Sequence, residues 1–139
     1  MKVVASILLS LSVLVCTSAI AQDSEAVPQA QAAASAWLAL VDAGNYSRSW
    51  EQAASLFKSA IGQTSWAAAA QAARAPLGVL RSREVKSAVF TRTLPGAPDG
   101  EYVVITYASR FQNEARAIEI VLPLREKDGV WRVSGYFVK

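Results

Sequence analysis

The sequence predicts an α+β fold in which three N-terminal helices pack on a four-stranded antiparallel sheet connected as a meander. In residues 30–76 the apolar residues recur every three or four positions, the period of an amphipathic helix. After Gly78 the spacing changes to two, the period of a strand with one buried face. Segments rich in Gly, Pro, Asn and Asp separate the alternating stretches, so consecutive strands are expected to pair as neighbours.

The N-terminus has the pattern of a secretory signal peptide. Lys2 precedes a mostly apolar segment, residues 3–15, and an Ala-Ile-Ala tripeptide ending at Ala21 offers small residues to a leader peptidase. The apolar segment is shorter than the roughly 20 residues that span a bilayer. Val15 precedes Cys16 at a position where lipoproteins have a small residue. We therefore expect a signal peptide at residues 1–21 and a periplasmic or secreted mature chain without a membrane anchor.

The mature chain is expected to form one α+β domain, residues 30–139, after a short polar leader. Residues 22–29 contain Pro28 and are predicted to be flexible. A first helix is expected to end at positions 43–44, a second to run to about Gly62, and a third to close near Pro76. Small residues between the large anchors allow close approach of the helices, so three tryptophans should dominate their packing: Trp37, Trp50 and Trp66.

Four strands are predicted, at residues 83–94, 101–111, 115–125 and 130–138. Two-residue turns at positions 113–114 and 128–129 would set Ile118 opposite Ser109 and Leu124 opposite Val133. In this register one face collects most of the bulky apolar residues, and it is the face expected beneath the helices. Its members are Val103, Ile105, Tyr107, Phe111, Ile118, Ile120, Leu122, Leu124, Trp131, Val133 and Phe137.

The opposite face of the predicted sheet has more apolar surface than contact with water requires. Tyr102, Val121 and Tyr136 lie on it, with Arg110 diagonal to Glu119. Strands also carry such residues because of ordinary β-propensity, so a solvated face stays one alternative. The other alternative is a surface that binds a small ligand, a partner protein or a second copy of the chain, which would make a homodimer through the sheet.

The composition excludes several classes of chemistry. The chain has no histidine, and its single cysteine, Cys16, lies in the predicted signal peptide. Triads built on Ser-His-Asp or Cys-His, thiol redox chemistry, and zinc or haem sites with those ligands are therefore excluded from the mature chain. The glycines in residues 94–100 have no accompanying Walker lysine. No metal or cofactor is expected, and a net charge of +3 is too small to favour nucleic acid.

Carboxylates, arginines and tyrosines are the remaining candidates for a site. Glu119 is the one acid within an otherwise apolar strand. One interpretation is that Glu119 forms a surface ion pair with Arg110. The alternative is that Glu119 is a general acid or base that acts with an arginine in a pocket between sheet and helices. Arg74 and Arg83 flank the change from helix to sheet. Arg74 suits the C-terminal end of a helix dipole, and an anion site formed by both arginines is the alternative.

Several segments of the chain together resemble a known family. The resemblance covers residue 34 to the C-terminus and is carried by residues 37–46, 49–50, 74–78, 82–83, 94–102 and 128–137. In this order they are similar to the bacterial exported family named domain of unknown function 4019. The resemblance implies an envelope or secreted protein of Gram-negative bacteria with a single domain, and it implies no activity or cofactor. The order of elements is also similar to cystatin-like and NTF2-like folds, which is no evidence of function.

The sequence therefore favours an exported binding module without catalytic activity, and a small enzyme that uses Glu119 is the alternative.

The signal peptide gives a first prediction. Protein recovered from the periplasm or medium should begin at Gln22, because leader peptidase cleaves after Ala21. The intact mass checks this, with an Ala21→Arg variant as the control that should stay unprocessed. A mature mass that still includes residues 1–21, or a lipid attached to Cys16, would contradict the prediction.

Overall fold

A computed structural model describes the backbone of residues 18–139 and the side chains of residues 24–139. Most of the predicted signal peptide, residues 1–17, lies outside the described residues. Among the helices of the described part, none is long and apolar enough to cross a membrane. The α+β class with a four-stranded antiparallel sheet is confirmed.

The described residues form four α-helices rather than the three predicted. They are α1 (Ser18–Asp42), α2 (Tyr46–Glu51), α3 (Ser55–Ala60) and α4 (Gln63–Arg74), followed by a 3₁₀ turn (Ala75–Leu77). The second predicted helix is divided into α2 and α3 because the backbone N–H of Ala54 donates to the carbonyl of Val133, at 2.8 Å. A hydrogen bond to the sheet thus replaces a bond within the helix.

The flexible leader predicted for residues 22–29 is instead part of α1. Ala26 and Ala30 are buried, and Val27 packs against the core. Pro28 lies inside the helix and brings no backbone N–H to it. The apolar contacts on either side of this proline hold the segment in helical conformation, an effect of tertiary packing that local sequence does not reveal.

The sheet has the predicted meander order. Its strands are β1 (Leu80–Thr91), β2 (Glu101–Phe111), β3 (Ala117–Arg125) and β4 (Trp131–Val138), each antiparallel to the next. The helices cover one face, called here the inner face. Two of the predicted tryptophan anchors, Trp37 and Trp66, are buried there with their ring centroids 5.7 Å apart, whereas Trp50 is half-buried.

The predicted register between β2 and β3 is wrong by one residue. Ser109 lies opposite Ala117, not Ile118. The turn comes earlier than predicted because the N–H of Gln112 donates to the carbonyl of Val79 at 2.8 Å. Gly78 makes this approach possible: its φ is +75°, and a Cβ there would lie 3.0 Å from the Cβ of Gln112.

The loop of the second hairpin, between β3 and β4, has one residue more than predicted. The N–H of Glu126 donates to the carbonyl of Val130 at 3.0 Å, which leaves a three-residue loop ending at Gly129. Gly129 has a φ of +81°, as the turn requires. A bulge after Val121 then shifts the pairing, so that Val121 lies opposite Tyr136.

These shifts reverse the predicted faces of β3 and of the second half of β4. The buried residues of β3 are Ala117, Glu119, Val121 and Pro123. Tyr136 turns inward, where its ring centroid lies 5.6 Å from that of Trp37. The bulkier apolar residues point away from the helices, and they are Ile118, Ile120, Leu122, Leu124 and Phe137.

Candidate functional site

A cluster of polar side chains lies where the last residues of α1 and α4 meet the inner face of the sheet, with Arg74, Ser109 and Glu119 buried, Arg83 and Tyr136 half-buried, and Asp42 at the exposed rim. The helices contribute one residue each and so does every strand. We call this group the polar cluster, and its members are Asp42, Arg74, Arg83, Ser109, Glu119 and Tyr136.

Glu119 lies at the centre of the polar cluster and is fully buried. Its Oε1 accepts hydrogen bonds from Ser109 Oγ at 2.6 Å and from Arg83 Nε at 2.8 Å. Its Oε2 accepts from the hydroxyl of Tyr136 at 2.5 Å and from Arg83 Nη2 at 3.2 Å. A buried carboxylate requires such donors, because it has lost its hydration. The donors come from the other three strands, so Glu119 ties the whole sheet together.

Asp42 connects the polar cluster to the helices. Its carboxylate accepts a two-pronged interaction from Arg83, at 2.8 and 2.9 Å, and a further bond from Arg74 Nη2 at 2.7 Å. Arg74 Nη1 also lies 3.8 Å from Glu119 Oε2. The two carboxylates therefore balance the two guanidinium groups. This balance matters because an unpaired charge at this depth would cost several kcal/mol, about 3–5.

Aromatic rings enclose the polar cluster. The guanidinium carbon of Arg74 lies 4.8 Å from the ring centroid of Phe111, and that of Arg83 lies 5.9 Å from the ring of Tyr107. Tyr136 packs against both Trp37 and Trp66. The rings limit access of water, which strengthens the charged hydrogen bonds between these residues.

The pKa shifts follow from burial and pairing. Burial alone would raise the pKa of Asp42, but hydrogen bonds from Arg83 and Arg74 outweigh it and hold that pKa below its usual value. Burial opposes the charged form of Arg83, yet its bonds to Asp42 and Glu119 raise its pKa. Burial and the adjacent Glu119 carboxylate raise the pKa of Tyr136, which keeps this phenol protonated as a donor.

The arrangement holds elements together rather than presenting a reactive group. Each oxygen of Glu119 is occupied by two protein donors. A cavity of about 250 Å³ borders the cluster at Asp42 and Arg74, and Glu119 is not among its lining residues. Within residues 24–139 no group of His, Cys, Asp and Glu side chains could hold a metal ion.

The structure brings together four of the residues singled out from the sequence. Arg74 and Arg83 do come together, as an anion site requires, but the anions are Asp42 and Glu119 of the same chain. The ion pair predicted between Glu119 and Arg110 is wrong, because the register shift turns Glu119 inward and leaves Arg110 exposed on the other face.

The exposed positions predicted for Tyr102, Val121 and Tyr136 are also wrong. Val121 is fully buried in the core and Tyr136 packs inside it. Tyr102 does lie on the face away from the helices, but the loop before β2 covers it, and its hydroxyl donates to the carbonyl of Pro98 at 2.7 Å.

Two members of the polar cluster, Asp42 and Ser109, were missed by the sequence reasoning. Asp42 is the last residue of α1, where the helix dipole disfavours negative charge, so an acid at this position signals a cationic partner. Ser109 interrupts the apolar row of β2 between Tyr107 and Phe111. A polar residue in such a row signals a buried hydrogen bond.

A second feature lies on the uncovered face, called here the outer sheet face. Val89 of β1 pairs with Val104 of β2, and Thr106 pairs with Ile120, which pairs with Phe137. Paired residues share a face, so these side chains form one surface across all four strands. Phe137 is 59% exposed and Val89 57%. The outer sheet face comprises Val89, Val104, Thr106, Ile118, Ile120, Leu122, Leu124 and Phe137.

Removal of the Glu119 side chain should destabilise the fold severely. We expect Glu119→Ala to lower the free energy of unfolding by about 3–5 kcal/mol, because Arg83 would keep a buried charge with less compensation. Urea denaturation followed by tryptophan fluorescence measures this. Glu25→Ala, at an exposed position of α1, is the control and should change it by less than about 0.5 kcal/mol. A loss below about 1 kcal/mol for Glu119→Ala would contradict the structural role of the cluster.

Asp42 should make stability sensitive to acid. Its pKa is lowered on folding, so its contribution is complete above the unfolded value of about 4 and is lost as the pH falls through the folded value. The free energy of unfolding should therefore fall between about pH 5 and pH 2, with a smaller slope in Asp42→Asn than in the wild type. Urea denaturation at a series of pH values measures both slopes. Asp99→Asn, in an exposed loop, is the matched control, and equal slopes for Asp42→Asn and wild type would refute the assignment.

Comparison with known proteins confirms the family resemblance. A family model described as protein of unknown function (DUF4019) matches residues 33–136, a span that includes every member of the polar cluster. No curated protein and no solved structure matches the chain. Because the matched residues cover most of the sequence, the chain belongs to the DUF4019 family.

Proposed function

We propose that this protein is an exported, non-catalytic interaction module that contacts a protein surface through its outer sheet face. The observation that carries the proposal is the orientation of β3. That strand buries Glu119 and turns its bulkier aliphatic residues to the outer sheet face, where Ile118 is 40% exposed and the others are half-buried.

The orientation of β3 is unfavourable for a protein that contacts only water. A shift of pairing by one residue would exchange the two faces of the strand and bury four large aliphatic side chains. Each of them would gain part of the roughly 1.5–3 kcal/mol of full burial, because Ile118 is 40% exposed and the other three are half-buried. The chain instead keeps these groups outside, next to Phe137 and Val89. A contiguous apolar surface of this kind is typical of a contact with another protein.

The polar cluster supports a role without catalysis. A general acid or base must reach a substrate proton, directly or through one water molecule. The Glu119 carboxylate is instead fully buried, and donors from Arg83, Ser109 and Tyr136 occupy both of its oxygens. Its neighbours hold it in one position, which suits a rigid platform for the opposite face of the sheet.

Site-specific photo-crosslinking in the native host tests the proposal. A benzophenone side chain placed at position 137 or 120 should give protein adducts on irradiation, because both positions lie on the outer sheet face. The same group at exposed position Gln71 on α4 is the matched control and should give none. Absence of adducts at both outer positions, or equal yields at position 71, would refute the proposal.

A further inference from the structure

We infer that the protein surface bound by the outer sheet face is the same face of a second copy of this chain, with a twofold axis parallel to the strands. The inference rests on the proposed function, because it uses the same surface. It adds the identity of the partner and the geometry of the contact.

The first observation is a gradient of side-chain size across the outer sheet face. One row of paired residues runs from β1 to β4 as Ser87, Thr106, Ile120 and Phe137. The half on β1 and β2 is small, and the half on β3 and β4 is bulky. Within this row, the β3 and β4 side therefore presents a ridge and the β1 and β2 side a shallow floor.

The adjacent row repeats the step from a small residue on β2 to a bulky one on β3, and it adds charge at both edges. It runs from β1 to β4 as Glu84, Ala108, Ile118 and Lys139. Ile118 and Lys139 are joined by two backbone hydrogen bonds, of 2.8 and 3.0 Å, which places Lys139 on the outer sheet face. The row thus begins with an acid at the β1 edge and ends with a base at the β4 edge.

A twofold axis parallel to the strands matches these gradients. It places β1 of one copy over β4 of the other and β2 over β3, so in the row that ends at Phe137 the bulky half faces the small half. Phe137 then lies over Ser87, and Glu84 lies over Lys139 of the second copy. An axis perpendicular to the strands would instead place β4 of one copy over β4 of the other. The bulky side chains of the two copies would then collide, and the small side chains over β1 would leave a gap. Self-complementarity about one axis is the defining property of a twofold interface.

The charges at the end of the sheet are compatible with this arrangement. Glu84 pairs with Lys86 at 3.0 Å, but both side chains are more than half exposed, and such pairs contribute at most about 1 kcal/mol. Glu84 can therefore turn to Lys139 of a second copy. Arg110 and Arg116 are exposed beyond the last apolar row. Arg110 is near the end of β2 and Arg116 directly precedes β3, so both long side chains can extend past the end of the sheet into water.

Sedimentation equilibrium of the purified protein tests the inference. The mass should rise from one chain to two as the concentration increases from about 1 μM to 1 mM. Phe137→Asp should weaken the dimer at least tenfold, because it puts a charge into the ridge. Val85→Asp is the matched control: Val85 is 44% exposed and pairs with Tyr107 of the inner face, and its substitution should leave the dissociation constant within about twofold. Near-ultraviolet circular dichroism verifies that both variants are folded.

Charge reversal tests the direction of the axis. Glu84→Lys and Lys139→Glu should each weaken the dimer about two- to fivefold, the range of exposed charge pairs. The double variant should restore the wild-type dissociation constant to within about twofold. If the double variant instead dimerises more weakly than either single variant, by the product of the two fold-changes, the proposed axis is overturned.

The remaining outcomes separate this inference from the proposed function. A monomer at every concentration, together with adducts from position 137 to a different protein, would overturn the second copy as partner and leave the interaction module standing. A monomer without adducts would overturn both. A dimer whose dissociation constant is unchanged in Phe137→Asp would show an interface elsewhere and would also overturn the inference.

Discussion

The buried carboxylate of Glu119 fixes the orientation of β3, and the rest of the architecture depends on that orientation. Once Glu119 is inside, it needs donors, and Arg83, Ser109 and Tyr136 supply them from the other strands. Arg83 in turn needs a second anion, which Asp42 provides from the end of α1. One buried charge thus links all four strands to one another and, through Arg83 and Asp42, to the end of α1. We interpret the gain as conformational specificity, since replacement of buried ion pairs by apolar residues often leaves stability unchanged or higher.

Much of the fold could be predicted from the sequence, because periodicity and turn residues are local signals. The bounds of β2 and the order of the strands followed from alternation alone. The helical conformation of residues 22–29 could not be predicted, since it depends on the burial of Ala26 and Ala30 against distant strands. The division between α2 and α3 likewise could not be predicted from the sequence, because it depends on a hydrogen bond from the N–H of Ala54 to β4.

The error in the faces has a specific physical origin. Two-residue turns were assumed at positions 113–114 and 128–129, and the apolar row of Ile118 to Leu124 then fell beneath the helices. The first turn does have two residues but lies one position earlier, between Phe111 and Glu114, and the second loop has three residues. The actual turns are set by Gln112 bonding to Val79 and by Gly129 closing a longer loop. Of the polar cluster, Arg74, Arg83, Glu119 and Tyr136 were singled out individually, but their meeting depends on this register.

The buried cluster and the exposed apolar face are therefore two consequences of one choice of register. Side chains alternate along a strand, so burial of Glu119 requires Ile118 and Ile120 to point outward. The opposite choice would bury the aliphatic residues more completely and hydrate the carboxylate, but it would expose Val121, which is now fully buried. The proposed contact of the outer sheet face with a second copy would cover the aliphatic residues without that change. The charges inside the domain then serve to hold an apolar surface in place outside it.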